Sequence, residues 1–279
     1  MAGRTEAANS TAAALADALA RRAAGRSRPL VVGIAGAPGS GKTTLAAHLA
    51  RLLEERHRLP AVVLSLDDFY LPRAARRRLA RRLHPLFAVR GVPGTHDLRL
   101  LGRTFAALER AQGDSCLLLP VFDKLADDRL PRRHWRLHRG RPVVILLEGW
   151  CVGVPPEPPA ALARPVNALE RTRDPDGCWR RAVNRALAGP YRRLFARLDC
   201  LIFLRAPAWG VVVRWRLEQE RALAAARPGA KAMDAAQVAH FVAHFERLTR
   251  HALRVLPRRA DYLLHLAPDR RPRLQCARR

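Results

Sequence analysis

Continuous apolar runs alternate along this chain with stretches of helical spacing. Residues 30–35 (LVVGIA), 61–66 (AVVLSL), 141–147 (RPVVILL), 200–204 (CLIFL) and 262–266 (YLLHL) predict strands, and 116–121 (CLLLPV) is a further short apolar run. Runs with so little polar interruption suit strands covered on both faces. Between them the period changes. Residues 43–55 put Leu45, Leu49, Leu52 and Leu53 on one helical face, and 97–110 predict a helix capped by Thr95 or Asp97. Residues 179–197, 209–226 and 234–256 predict further helices, the last two parted by Pro228-Gly229. Residues 11–22 carry a stripe of Leu15, Ala18 and Leu19, residues 71–90 are basic and irregular, and the Pro-rich 152–165 predict a loop. The alternation predicts an α/β fold, a mostly parallel β-sheet with helices on both faces. Sites in such sheets lie beyond the carboxyl ends of the strands. The polar strand ends therefore converge as candidates: residues 36–44, Asp67-Asp68, Asp123-Lys124 and Glu148.

The first of these is Gly36-Ala37-Pro38-Gly39-Ser40-Gly41-Lys42-Thr43, followed by Thr44. It has the G-x-x-x-x-G-K-[ST] spacing of a P-loop, set between a predicted strand and a predicted helix as the mechanism requires. Glycines let backbone N–H groups turn toward phosphate oxygens, and the helix N-terminus adds its positive end. Lys42 would reach the β- and γ-phosphates of ATP, and the Thr43 hydroxyl would ligate Mg²⁺. A P-loop NTPase fold is the expectation.

Composition sharpens this. Of 51 basic residues only Lys42, Lys124 and Lys231 are lysines, leaving 48 arginines. A compact ammonium suits a phosphate cradle better than a planar guanidinium, so Lys124 also becomes a functional candidate. Net charge is +27 over 279 residues, with aromatics at 6%. The arginines are spread along the length and no aromatics cluster beside them, so no stacking platform for single strands is visible. Compositional bias or steering of anionic substrates explains the charge better than a specific nucleic-acid partner. The run of Arg73, Arg76, Arg77, Arg78, Arg81 and Arg82 predicts a solvated face. The five cysteines show no C-x-x-C spacing, so neither a disulfide framework nor a zinc site is indicated. No run approaches the ~18 apolar residues of a membrane span, and no apolar signal core opens the chain. A cytoplasmic protein without a membrane partner is expected.

Several segments together resemble the P-loop kinases related to plant-type D-glycerate 3-kinase, akin to uridine kinase, phosphoribulokinase and bacterial pantothenate kinase. They are the P-loop, residues 65–70 (SLDDFY), 90–97 (RGVPGTHD), 122–124 (FDK) and 148–153 (EGWCVG), then Asn184 with Tyr191, and Arg214-Trp215-Arg216 with Gln219-Glu220. The resemblance covers roughly residues 28–268. It implies a kinase domain over 29–268, preceded by an Ala-rich helical extension (1–28) and followed by a basic, frayed tail (269–279). It also implies a helical lid whose Arg214 and Arg216 fold over the transferring phosphate, with the Pro228-Gly229 break allowing movement; surface arginines are the alternative. Asp67 takes the role of catalytic base by resemblance, and phosphoryl transfer wants a carboxylate near the nucleophile. Asp68 is the other candidate, and either residue could cap the following turn. Glu148 resembles the acidic residue that orients Mg²⁺, though a strand-terminal Glu could instead cap a helix at Gly149. The rigid 90–97 turn offers Arg90, His96 and Asp97 to an acceptor, an Arg fork suiting a carboxylate; Asp68, Tyr70 and Lys124 complete the acceptor side. Phe122 stands where the family has Tyr, and the glycines usual between Lys124 and Asp128-Arg129 are missing. The implied activity is ATP-dependent phosphorylation of a hydroxyl on a small hydroxy acid, D-glycerate first, with uridine or pantothenate as alternatives. A nucleic-acid-associated NTPase is the competing class; the absence of N-K-x-D argues against a GTPase.

Overall fold

The computed structural model describes residues 2–226 and 233–276. Helix α1 (Ala2–Ala23) leads to strand β1 (Leu30–Gly36), and helix α2 (Lys42–His57) to β2 (Ala61–Ser65). Helices α3 (Arg73–Arg82) and α4 (Leu98–Arg110) come next. Strands β3 (Cys116–Leu119), β4 (Phe122–Asp123), β5 (Asp128–Arg129) and β6 (Arg136–Arg139) precede β7 (Val144–Gly149). Helices α5 (Ala168–Arg173), α6 (Cys178–Ala186) and α7 (Arg192–Phe195) lead to β8 (Cys200–Arg205). The long helices α8 (Trp209–Ala226) and α9 (Ala235–Val255) come before β9 (Tyr262–Leu266) and β10 (Pro272–Cys276).

One six-stranded sheet has the order β10-β9-β8-β1-β7-β2, parallel except for β10. Strand β1 is buried along its whole length because alternate side chains feed two cores. Leu30, Val32 and Ile34 meet Leu15 and Leu19 of α1, Leu49 of α2 and Trp215 of α8. Val31 and Ala35 face the layer of Phe105 from α4, Trp179 from α6 and Phe245 from α9. From β1 the chain crosses to β2 on one side, whereas β7 is followed by β8 on the other. That reversal opens a crevice at the carboxyl end of β1.

Four sequence expectations are corrected. Residues 73–82 are helical, and Arg76 within the charge run is fully buried because it finds backbone acceptors there. The apolar run at β3 pairs with β6 in a separate antiparallel ribbon rather than joining the main sheet. Residues 272–276, expected to fray, pair with β9, with Leu274 opposite Leu264. Asp123-Lys124 sits at the tip of the β4–β5 hairpin, not at the end of a main-sheet strand. The Pro228-Gly229 break and Lys231 lie outside the described residues. Among the described residues, no helix is long and apolar enough to cross a membrane.

Candidate functional site

The turn between β1 and α2 holds residues 36–44. Gly39 has φ +80°, and a Cβ there would lie 2.8 Å from that of Trp215, so no other residue fits. Gly41 caps α2 without a side chain to occupy the first N–H groups, which leaves them for an anion. The Ser40 hydroxyl is buried without a hydrogen-bond partner. Lys42 Nζ donates to the Ala37 carbonyl at 3.1 Å. Burial lowers its pKa, against the pull of Glu148 and Asp67.

Parallel register brings the next strand ends level. Glu148 on β7 lies opposite both Ile34 on β1 and Ser65 on β2. Its Oε1 accepts hydrogen bonds from Thr43 Oγ1 at 2.9 Å and Ser65 Oγ at 2.7 Å. Two hydroxyls and a carboxylate form a hard-oxygen donor set, which fits Mg²⁺. Among the described residues, no three His, Cys, Asp or Glu side chains gather into a metal cage. A cation beside Thr43 and Glu148 would be shared with phosphate oxygens and water, the usual habit of Mg²⁺.

Asp67 lies on the single 3₁₀ turn after β2. Tyr70 donates its phenol to Asp67 Oδ1 at 2.9 Å, and Lys124 Nζ meets Oδ2 at 2.8 Å. Burial alone would push Asp67 up, but Lys124, the two hydrogen bonds and Lys42 together hold it at about 2. Asp67 in turn raises Lys124. Asp123 shapes the hairpin tip carrying Lys124 by accepting from the Leu125 and Ala126 amides. Arg90 pairs with Asp127 and lies 5.7 Å over the Phe122 ring. Buried Arg76 holds the same Asp127 from behind at 2.8 Å. From α8, Arg216 pairs with Glu220 and lies 5.6 Å over Phe241 of α9. Trp150 donates to the Gly91 carbonyl at 3.0 Å and meets Phe245 edge-on. A side chain at Gly91 (φ +136°) would collide with that Phe245 ring. Of these, Asp67, Tyr70, Arg90, Lys124, Trp150, Arg216, Phe241 and Phe245 line a cavity of about 170 Å³ together with Pro38, Gly39, Lys42, Thr43 and Glu148.

Four sequence candidates stand away from this cleft. Asp68 accepts from the Phe122 amide at 3.1 Å, and burial raises its pKa to about 6. His96 is buried behind Tyr70, stacked at 4.5 Å, with Nδ1 on the Tyr191 hydroxyl; burial lowers it to about 4. Asp97 caps α4 through the Leu100 amide and pairs with Arg129. Arg214 is exposed and reaches Glu218 and the Pro268 carbonyl, because it leaves α8 on a different side from Arg216. Asn184, another residue of the resemblance, ties down the Glu157 backbone.

The family model for zeta toxin matches residues 13–78, the stretch from α1 through the P-loop to α3. Over 227 residues the chain is 35% identical to "Uncharacterized kinase mug58" of Schizosaccharomyces pombe, covering 78% of this chain and 79% of that protein. The chain belongs to the P-loop kinases. The kinase is also 32% identical over 225 residues to the chloroplastic D-glycerate 3-kinase of Arabidopsis thaliana. That match covers 78% of the kinase but spans only 46% of the plant protein. The solved D-glycerate 3-kinase of Cryptococcus neoformans var. grubii shares the fold, with TM-score 0.76 at 24% identity, covering 99% of the kinase and all of that chain.

The kinase has a second recess, of about 250 Å³, behind the P-loop, walled by Ser40, Gly41, Thr44, Leu204, Leu266 and Arg270. Arg270 donates to the Gly39 carbonyl at 2.8 Å and lies 5.2 Å from the Trp215 ring centre, joining the β9–β10 turn to the P-loop. Sequence reasoning assigned Arg270 to the tail and missed it. Phe241 and Phe245 were missed too, although their four-residue spacing on one face of α9 was a visible signal.

Proposed function

We propose that the kinase transfers the γ-phosphoryl group of ATP, with Mg²⁺, to a hydroxyl of a small hydroxy acid, D-glycerate being the first choice. One observation carries this reading: Arg90, Lys124 and Arg216 stand with Asp67 around the same small cavity as Lys42. Three cations beyond the P-loop lysine suit an acceptor that brings its own negative charge. The name of the plant relative supports the same acceptor.

In this reading the P-loop amides and Lys42 hold the phosphates, and the apolar recess behind the P-loop takes the base. Thr43 and Glu148 hold Mg²⁺, which when bound neutralises charge on the phosphate oxygens. Arg90 orients the acceptor's carboxylate, Asp67 accepts the hydroxyl proton, and Arg216 meets charge developing on the transferred group. Trp150, Phe241 and Phe245 exclude water. The test is ADP release with D-glycerate, pantothenate and uridine varied at saturating ATP. D-Glycerate should give the highest kcat/KM. Arg90→Leu should raise the glycerate KM about ten- to a hundredfold, the loss of one charge-assisted pair, with the ATP KM little changed. Preference for uridine, or an unchanged glycerate KM in Arg90→Leu, rejects this acceptor assignment.

A further inference from the structure

Lys124 does more than add charge to the cleft. Both oxygens of Asp67 are engaged, Oδ1 by the Tyr70 hydroxyl and Oδ2 by the Lys124 ammonium. Each oxygen keeps a second lone pair, but a carboxylate held by a cation and a hydroxyl is a poor proton acceptor while the ammonium stays on Oδ2. The other cations of the cleft are anchored elsewhere: Arg90 on Asp127 and the Phe122 face, Arg216 on Glu220 and the Phe241 face. Lys124 differs from them. Among the described residues, Asp67 is the carboxylate its ammonium meets within ion-pair distance. Its side chain is 62% exposed, on the tip of a hairpin whose ladder is two residue pairs long. The ammonium can therefore swing on its four-carbon stem without disturbing the core. The choice of residue points the same way in a chain that uses arginine 48 times and lysine three times. A guanidinium would grip Asp67 through two parallel hydrogen bonds, whereas an ammonium holds it through one point contact that a second anion can win.

We propose that Lys124 is an acceptor-sensing latch. It occupies the Asp67 carboxylate until an anionic acceptor draws the ammonium onto itself, so that the base is freed only when the acceptor's hydroxyl stands beside it. The inference rests on the kinase reading above and on the role of Asp67 in it. The reaction that the latch suppresses is hydrolysis. A water oxygen would bond to the γ-phosphorus, and the bond to the β,γ-bridging oxygen would break with its electron pair remaining on ADP. The water proton would pass to Asp67 and then to solvent. Productive transfer has the same balance, with the acceptor's hydroxyl in place of water.

The test measures ADP release from ATP and Mg²⁺ without any acceptor, in wild type, Lys124→Met, and Lys124→Met combined with Asp67→Asn. Lys124→Met should hydrolyse ATP roughly ten- to a hundredfold faster than wild type, a part of what a positioned general base supplies. The double variant, lacking the base, should lose that gain. With D-glycerate added, wild type should be strongly stimulated and Lys124→Met only weakly. Hydrolysis by a folded Lys124→Met protein at or below the wild-type rate overturns the latch, as does equally fast hydrolysis by the double variant. Circular dichroism and a thermal melt establish folding, and Lys124→Gln repeats the test with a polar side chain. Because the hydrolysis arm contains no acceptor, it decides the latch separately from the acceptor panel. A wild type that ignores glycerate rejects the acceptor while leaving this comparison intact.

Discussion

His96 illustrates how one residue type changes meaning between sequence and structure. Beside Gly94 and Asp97 in the sequence it suggests a hand for the acceptor; in the fold it is packed between Tyr70 and Tyr191. Its folded pKa of about 4 lies below the ordinary 6.5. Below pH 6.5 the unfolded chain takes up a proton that native His96 refuses until about pH 4, so this group costs stability as pH falls through that window. The full cost is about 3 kcal/mol. His96→Phe keeps a ring against Tyr70 and removes the proton acceptor, so it should lose correspondingly less stability between pH values of about 7 and 4.5. His244, also held at about 4, titrates alike in both proteins, so the difference reports on His96. Urea denaturation at the two pH values decides the matter. Equal acid losses would mean that His96 protonates freely, as a side chain facing the acceptor would.

Elements differ in how legible they are. The buried parallel strands announce themselves because both faces need apolar residues; β9 begins and ends, and α8 begins, where the sequence puts them. Strand β10 shows no apolar run, because its ladder with β9 needs only backbone groups and Leu274. The P-loop is legible because its chemistry is contiguous. The acceptor side is not, since its groups come from the 90–91 turn, the β4–β5 hairpin, α8 and α9. Helix α3 joins the first two of these, and its key residue hides in a run of arginines. Arg76 donates to the Leu71, Ala88 and Asp127 carbonyls and pairs with the Asp127 carboxylate. Asp127 then holds Arg90 from a left-handed backbone conformation, φ +53°. Arg76→Met would remove the donor to three backbone carbonyls and leave Asp127 to Arg90 alone, which costs about 1–3 kcal/mol. It should lower the melting temperature and also raise the acceptor KM, whereas Arg77→Met on the exposed face should do neither. An Arg76→Met protein that melts like wild type would show that α3 does not brace the hairpin and the 90–91 turn together.

At the scale of the whole molecule the question is what a charge of +27 is for. Helix α3 exposes Arg73, Arg77, Arg78, Arg81 and Arg82, a surface that attracts any polyanion. Yet among the described residues no Trp, Tyr or Phe side chain is exposed; each is at least half-buried. Without rings to stack on bases, basic residues give only phosphate contacts, which weaken steeply as salt replaces released counterions. Binding to DNA or RNA should therefore be independent of sequence and lost by ~0.2 M salt. The same field should act on a small anionic acceptor by raising its encounter rate. Its kcat/KM should fall as ionic strength rises, while that for an uncharged acceptor of similar size should change little. Two titrations separate the possibilities: nucleic-acid binding by fluorescence anisotropy, and acceptor kcat/KM, each against salt. Tight, sequence-dependent binding that survives ~0.2 M salt would make the charge a recognition surface for nucleic acid. A kcat/KM indifferent to salt would confine the recognition of the acid to Arg90, Lys124 and Arg216 within the cleft.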